Sequence, residues 1–239
     1  MLRRVLLVSV LLAATGLLGQ GAGASVSSAP RRAAGFDGRV RVVVAAGTTV
    51  YVGGHFTHAT DLDGRVVSRN RLAAVDAATG ALLPWNPGAN RPVHAMAVAG
   101  GTVYLGGEFS TVGGVARGRL AAVSASSGAV LAWNHRADGL VRALATSSSR
   151  LYAGGQFTRV DGAARPRLAA FSLSDGALDG GWRPSADGPV HALRVGLSQT
   201  RVYVGGTFSR LDGDPAHGHA GAGGPPRARR GARVRGPGR

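Results

Sequence analysis

The chain of 239 residues contains no cysteine, no lysine, a single glutamate (Glu108) and an aromatic fraction of only 5%. The missing cysteine excludes disulfides, thiolate metal centres and cysteine nucleophiles together. Any fold must then be held together by its core, without a covalent cross-link. With one glutamate, and no acid pair recurring at a fixed site, no general acid–base couple can be assigned. The glycine pairs are not phosphate loops, since no Lys-Ser/Thr follows them and they open no helix. Helical periodicity is absent after the N-terminal segment, as is any nucleophile-elbow motif.

The missing lysine also qualifies the charge. All 28 cations are arginine, giving a formal +16. Two lie at the N-terminus and six after Asp214, so Arg31 to Gly213 carries 20 arginines against 11 acids. Arginine without lysine, beside 39 glycines, fits a codon bias as well as it fits an anionic partner. Specific nucleic-acid recognition would call for aromatics interleaved with the arginines, and none is free for it. Tail binding to nucleic acid would be non-specific and salt-sensitive.

The ends differ from the middle. Arg3 and Arg4, an apolar run from Val5 to Leu18, and the small-x-small triplet Ala22-Gly23-Ala24 form the grammar of a secretory signal peptide. Residues 1–24 are therefore expected to be removed and the protein to be secreted; an uncleaved anchor is the alternative. Residues 25–39 read as a linker.

From residue 40 the chain repeats. Val50-Tyr51-Val52-Gly53-Gly54-His55-Phe56 returns as Val103-Tyr104-Leu105-Gly106-Gly107-Glu108-Phe109 and as Leu151-Tyr152-Ala153-Gly154-Gly155-Gln156-Phe157. It returns once more as Val202-Tyr203-Val204-Gly205-Gly206-Thr207-Phe208, so the tyrosines are spaced by 53, 48 and 51 residues. Leu-Ala-Ala blocks at Leu72, Leu120 and Leu168 follow 48 residues apart, then Trp85, Trp133 and Trp182 in register. A period of this length with one tryptophan per unit signals stacked β units. One unit divides into four short runs, Val93–Val98, Thr102–Phe109, Leu120–Ser124 and Ala129–Trp133. These are separated by turn pairs such as Gly100-Gly101, Gly113-Gly114 and Ser127-Gly128.

The expected fold is all-β: an incomplete β-propeller of about three and a half four-stranded blades. The blades fall at about 40–90, 91–139 and 140–188, with a partial blade at 189–213. Each tryptophan would bury 150–250 Å², about 4–6 kcal/mol, between blades. Beyond Gly213 the expected Leu is replaced by His219, and residues 214–239 read as a disordered basic Gly/Ala/Pro/Arg tail with no strand-forming run. A coding of Ala216–Gly221 displaced by one base can yield Arg-Thr-Gly-Thr-Leu-Ala, so a frameshifted or fragmentary product is one explanation and a genuine basic tail the other. An open array exposes blade edges and invites self-association.

The repeat, from Val93 through Tyr104, Gly106-Gly107, Phe109, Arg119, Leu120-Ala121-Ala122, Gly128 and Trp133, resembles the delta-60-type propeller repeats of secreted actinobacterial proteins. The resemblance spans roughly Val40 to Gly213 and implies a non-catalytic extracellular module. Such a module would bind an extracellular ligand, a cell-surface polysaccharide or protein, or act as a scaffold. Leu72 to Gly80 followed by Trp85 is more distantly similar to the tryptophan-docking motif of quinoprotein-type propellers. That likeness implies the alternative, a fragment of a propeller enzyme whose active site lay in absent blades. No catalytic or cofactor-binding residue, and no cofactor, is assigned.

The chemistry-bearing candidates are few. His55, His58, Asp61 and Asp63 lie where the first repeat carries a five-residue insertion, and are the only metal-ligand candidates; their loop is far short of a calcium-binding loop. His94, Arg142 and His191 occupy one repeat position and read as polar strand residues. The arginine pairs Arg69/Arg71, Arg117/Arg119 and Arg165/Arg167 precede each Leu-Ala-Ala, and are expected to pair with Asp76 or with backbone carbonyls.

Overall fold

The computed structural model describes residues 32–215 and 232–235; the expected signal peptide lies outside the described residues. None of the described residues is helical. The first repeat holds β1 (Gly35–Phe36), β2 (Val40–Ala46), β3 (Thr49–Gly54), β4 (His58–Thr60), β5 (Val66–Ser68) and β6 (Leu72–Asp76). The second holds β7 (Val93–Ala99), β8 (Thr102–Gly107), β9 (Thr111–Val112), β10 (Val115–Ala116) and β11 (Leu120–Ser124). The third holds β12 (Val141–Thr146), β13 (Arg150–Gly155), β14 (Arg159–Val160), β15 (Ala163–Ala164) and β16 (Leu168–Ser172). The fourth holds β17 (Val190–Val195), β18 (Arg201–Gly206), β19 (Arg210–Leu211), β20 (Asp214–Pro215) and β21 (Ala232–Arg235).

Each repeat builds one three-stranded antiparallel sheet, in the orders β2-β3-β6, β7-β8-β11, β12-β13-β16 and β17-β18-β21. A small accessory sheet stands beside each: β1-β4-β5, β9-β10, β14-β15 and β19-β20. The turn predictions hold. Gly100 and Gly101 both have positive φ, as do Gly113-Gly114, Asp161-Gly162 and Asp212-Gly213, the conformation a two-residue hairpin turn requires.

The sheets follow one another with their first strands adjacent: β2 beside β7, β7 beside β12, and β12 beside β17. The cores lie between them. Tyr51, Leu72, Trp85, Val93, Met96 and Leu105 fill the first interface; Leu120, Val141, Leu144, Phe157 and Phe171 belong to the second. The third holds Tyr152, Leu168, Trp182, Val190 and Phe208.

The motif glycines explain how the sheets approach so closely. A Cβ on Gly53, Gly106 or Gly154 would meet Cγ1 of Val93 at 3.1 Å, Val141 at 2.6 Å and Val190 at 2.6 Å, the opening valine of the following sheet. The second glycine of each pair faces the backbone carbonyl of Arg39, Pro92, Leu140 or Pro189 in its own sheet. The sequence motif is a slot for a neighbour's valine.

The tryptophans occupy equivalent places. Trp85, Trp133 and Trp182 pack edge-on against Tyr51, Tyr104 and Tyr152, with ring centroids 5.0, 5.3 and 5.0 Å apart. Trp85 Nε1 donates to the Ser124 carbonyl and Trp133 Nε1 to the Gly176 carbonyl, each in the next repeat.

Four expectations need correction. The fourth strand of each repeat, placed at Ala129–Trp133 in the second, is reduced to a single bridge: Val75↔Leu82, Val123↔Val130 and Phe171↔Leu178. The cause is visible at Leu131. Its N–H still donates to Ala122, but its carbonyl is taken by Arg117 Nη2 at 2.7 Å, and the chain leaves the ladder to carry Trp133 onward. The fourth unit, expected to be partial and to end at Gly213, completes a three-stranded sheet, because β21 pairs with β18. Val204 faces Ala232 there as Val52 faces Ala73 in the first sheet. The tail expected to hold no strand therefore supplies Ala232–Arg235, and also Asp214–Pro215, which pairs with β19. Finally, the linker assigned to residues 25–39 contains β1, which pairs with β4; Phe36 packs on Phe56 at 4.6 Å.

Candidate functional site

Every first strand carries an irregularity at the same place. The register shifts between Val40 and Val42, Val93 and Ala95, Val141 and Ala143, and Val190 and Ala192. The extra residues are Arg41, His94, Arg142 and His191. A bulge re-aims its side chain and breaks strand alternation, and here it does so four times on neighbouring strands. The residue after each glycine pair, His55, Glu108, Gln156 or Thr207, stands beside it. His94 Nε2 lies 2.9 Å from Glu108 Oε1, His191 Nε2 lies 3.1 Å from Thr207 Oγ1, and the His55 and His94 rings are 5.7 Å apart.

The electrostatics of this row are set by burial and by arginine. The His94 side chain is only 9% exposed. Burial pulls its pKa below the ordinary histidine value, and the opposing hydrogen bond and charge of Glu108 do not outweigh it; Arg41 and His55 add to the depression. His55 is lowered by burial first and then by Arg41, with Glu108 again opposing. Both rings are thus neutral at neutral pH, and His94 donates its Nε2–H to the Glu108 carboxylate. The row offers cations and hydrogen-bond donors with one acid among them, an arrangement suited to an anionic or polar ligand.

The metal-ligand candidates do not come together. His55 belongs to the bulge row. His58, three residues on and beyond the buried Phe56, sits at the start of β4 with Nδ1 3.1 Å from Asp37 Oδ2. Asp61 closes its own turn, accepting the Asp63 and Arg65 N–H groups through Oδ1 at 3.0 and 2.9 Å. Among the described residues no group of three or more His, Cys, Asp or Glu is placed to hold a metal ion.

The arginines before each Leu-Ala-Ala bond backbone carbonyls, one of the two partners expected. Arg69, Arg117 and Arg165 each donate Nη1 to the preceding carbonyl (Ser68, Ala116, Ala164) and Nη2 to the carbonyl 14 residues on (Leu83, Leu131, Asp179). Each ties the entry of a third strand to the segment leading to the tryptophan. Asp76 instead caps its own turn at Ala78 and Thr79. Arg71, Arg119 and Arg167 have φ of 65, 67 and 69°, an uncommon left-handed geometry for a long side chain.

One repeated constellation escaped the sequence reading. Asp37, Asn90, Asp138 and Asp187 each accept two consecutive backbone N–H groups: those of Thr57 and His58, Ser110 and Thr111, Thr158 and Arg159, and Ser209 and Arg210. In every case the hydroxyl after the motif phenylalanine also bonds the same side chain. The signal was available: an Asp or Asn three residues before each opening valine, and Ser or Thr after each phenylalanine. Burial pushes the Asp37 carboxyl up, but the bonds from His58 and Thr57 outweigh it and hold it well below the usual carboxylate range. Asp138 behaves alike through Thr158 and Arg159, and Asp187 is lowered chiefly by the Ser209 hydroxyl. These side chains are spent on the fold.

No family model and no curated protein matches the chain. Among solved structures it is similar to the computationally designed protein Ika4, at 16% identity and a TM-score of 0.52, over 78% of this chain and 96% of Ika4. The designed protein Ika8 matches at 19% identity and a TM-score of 0.43, over 74% of this chain and 46% of its own. The N-terminal domain of Nup159 matches at 13% identity and a TM-score of 0.41, over 69% and 38%. The Ika4 likeness concerns fold alone, and the two weaker ones carry no argument.

Proposed function

We propose that the chain is a secreted, non-catalytic binding module. Its sheets would be blades of an open β-propeller of the delta-60 type, each with its fourth strand reduced to one bridge. The observation that carries this reading is the row of bulge residues, Arg41, His94, Arg142 and His191, at one place on four neighbouring first strands. A bulge kept in all four repeats, but filled by Arg and His rather than one residue type, serves a shared surface better than it serves packing. The partner is an extracellular anionic polymer, a polysaccharide or the acidic face of a protein.

The test is retention of the full chain on immobilised dextran sulfate. The double variant Arg41→Ser/Arg142→Ser is expected to elute at clearly lower salt than the double variant Arg159→Ser/Arg210→Ser, which removes two exposed arginines away from the row. Equal elution of the two variants would contradict the reading. Lowering the pH through the depressed range of His55 and His94 charges both rings, and retention should then rise.

A further inference from the structure

The first inter-sheet interface holds a cleft of about 420 Å³, within the roughly 300–1,000 Å³ of small-molecule sites. Its walls come from the entry to β6 (Asn70, Arg71), from the segment joining the first two sheets (Asn86 to Asn90), and from the β9–β10 hairpin (Thr111, Gly113, Gly114). Pro87 and Ala89 are buried beneath it.

The same place in the second interface is occupied. Repeat register sets Gly88 against Arg136, Pro87 against His135 and Gly113 against Asp161. There His135 contacts the Asp161 carboxylate through Nδ1 and the Gly176 carbonyl through Nε2, and the backbones of Arg119 and Arg136 form a single antiparallel bridge. The first interface has small residues where the second has large polar ones, and the space is open for that reason.

The polar groups around the cleft are also differently engaged. Arg119 donates Nη1 to the Ala137 carbonyl, and Arg167 donates Nη1 to the carbonyls of Gln156 and Phe157. The Arg71 guanidinium makes no hydrogen bond to any described residue, and neither does the Asn70 side chain. Among the described residues the Asn86 side chain makes one long 3.5 Å bond, from Nδ2 to the Ser68 carbonyl. Thr111 Oγ1 has no described partner. Arg71 is the one cation among the described lining residues, which suits a single negative charge, and its planar fork matches a carboxylate. Amides and a hydroxyl both donate and accept, which is what a polyol needs. No carboxylate of a described residue lines the cleft, so none of these opposes an anion or favours an amine.

We propose that this cleft binds a sugar acid, a small polyol bearing one carboxylate such as a hexuronate. Arg71 takes the carboxylate, and Asn70, Asn86 and Thr111 take the hydroxyls. The proposal rests on the reading of the chain as a binding module, but no residue of the bulge row lines the cleft; the two meet at Arg71, whose charge also reaches His55.

Calorimetric titration of the full chain with D-glucuronate, D-glucose and acetate tests it. Glucuronate is expected to saturate one site, with glucose and acetate each at least about tenfold weaker, because each lacks half of the recognised groups. Asn90→Asp is the variant least disturbing to the fold, since Asp fills that position in the other three repeats. It adds a negative charge to the cleft wall and should weaken glucuronate about tenfold or more. Arg71→Asn removes the guanidinium with a residue that tolerates positive φ, and should weaken it at least as much. Absence of saturation by glucuronate, equal affinity for glucose, or affinity unchanged by Asn90→Asp would each overturn the proposal. Retention on dextran sulfate separates the two readings. If retention persists while glucuronate fails to saturate, the cleft alone is lost; if Arg41→Ser/Arg142→Ser does not lower retention while glucuronate still binds, the row alone is lost.

Discussion

The third and the fourth repeat present the same motif to different surroundings. Tyr152, on the third sheet, is 2% exposed because the fourth sheet covers it; Tyr203, at the same motif position on the fourth sheet, is 37% exposed. Gly154 receives Val190, whereas a Cβ on Gly205 would find only Ala192 at 3.7 Å. Trp85 and Trp133 bond a carbonyl of the next repeat, while Trp182 is buried with its Nε1 unpartnered among the described residues. At the other end Val43 is 37% exposed where its counterparts Met96 and Leu144 are buried. The motif thus encodes an interface rather than a strand, and a residue's energetic weight depends on whether a neighbour stands against it.

That difference can be broken or sharpened by substitution. The largest effect is expected at the buried tryptophans: Trp182→Ala, on the third sheet, should cost about 3–5 kcal/mol in urea unfolding, as large buried aromatic truncations do. Tyr203→Ala should cost under about 1 kcal/mol. Comparable losses would mean that the fourth sheet is as tightly covered as the third. Next come the glycines. Gly154→Ala forces a methyl against Val190 Cγ1 at 2.6 Å and should cost about 1–3 kcal/mol, while Gly205→Ala should stay within about 0.5 kcal/mol.

A smaller loss is expected from Arg117→Met. It keeps the buried stem but leaves the Ala116 and Leu131 carbonyls without their donors, about 1–2 kcal/mol. The smallest effect concerns pH. Asp37, Asp138 and Asp187 have carboxyl pKa values below their unfolded ones. Their contribution is complete above the ordinary carboxylate range near pH 4 and fades as pH falls through the depressed values. Asn90 does the same work in the second repeat without titrating. Asp138→Asn should therefore flatten the acid limb of the stability profile, and an acid limb unchanged by that substitution would count against the assignment.

Much of this architecture could be read directly from residues. Tyr-x-Gly-Gly marked the central strands because the strand period and the repeat period coincide there, and the glycine turns declared themselves through the need for positive φ. The tryptophan spacing led to the interfaces. The fourth strand was overestimated because Leu131 looks like any strand residue; only Arg117, 14 positions away, takes its carbonyl off the ladder. The tail strand was missed because Ala-Arg-Val-Arg has no propensity that distinguishes it, and its pairing with β18 is a long-range event.

The candidate site was less legible. A bulge shifts register by one residue, so His94, Arg142 and His191 read as ordinary polar strand residues when the geometry re-aims them, and Arg41 drew no reading at all. His55-x-x-His58 looked like a ligand pair only because proximity in sequence conceals the strand end at Gly54 and the buried Phe56 between them. The Asp/Asn and Ser/Thr pairs were visible in all four repeats, yet their members lie about 20 residues apart and meet only once the sheet has formed.

Native-state hydrogen exchange tests the central claim most directly, by comparing backbone amides of β8 and β13 with those of β18. If each motif is an interface, the amides of β8 and β13 should exchange near the rate of global unfolding, and those of β18, covered on one face only, many times faster. Equal protection of β13 and β18 would contradict the account.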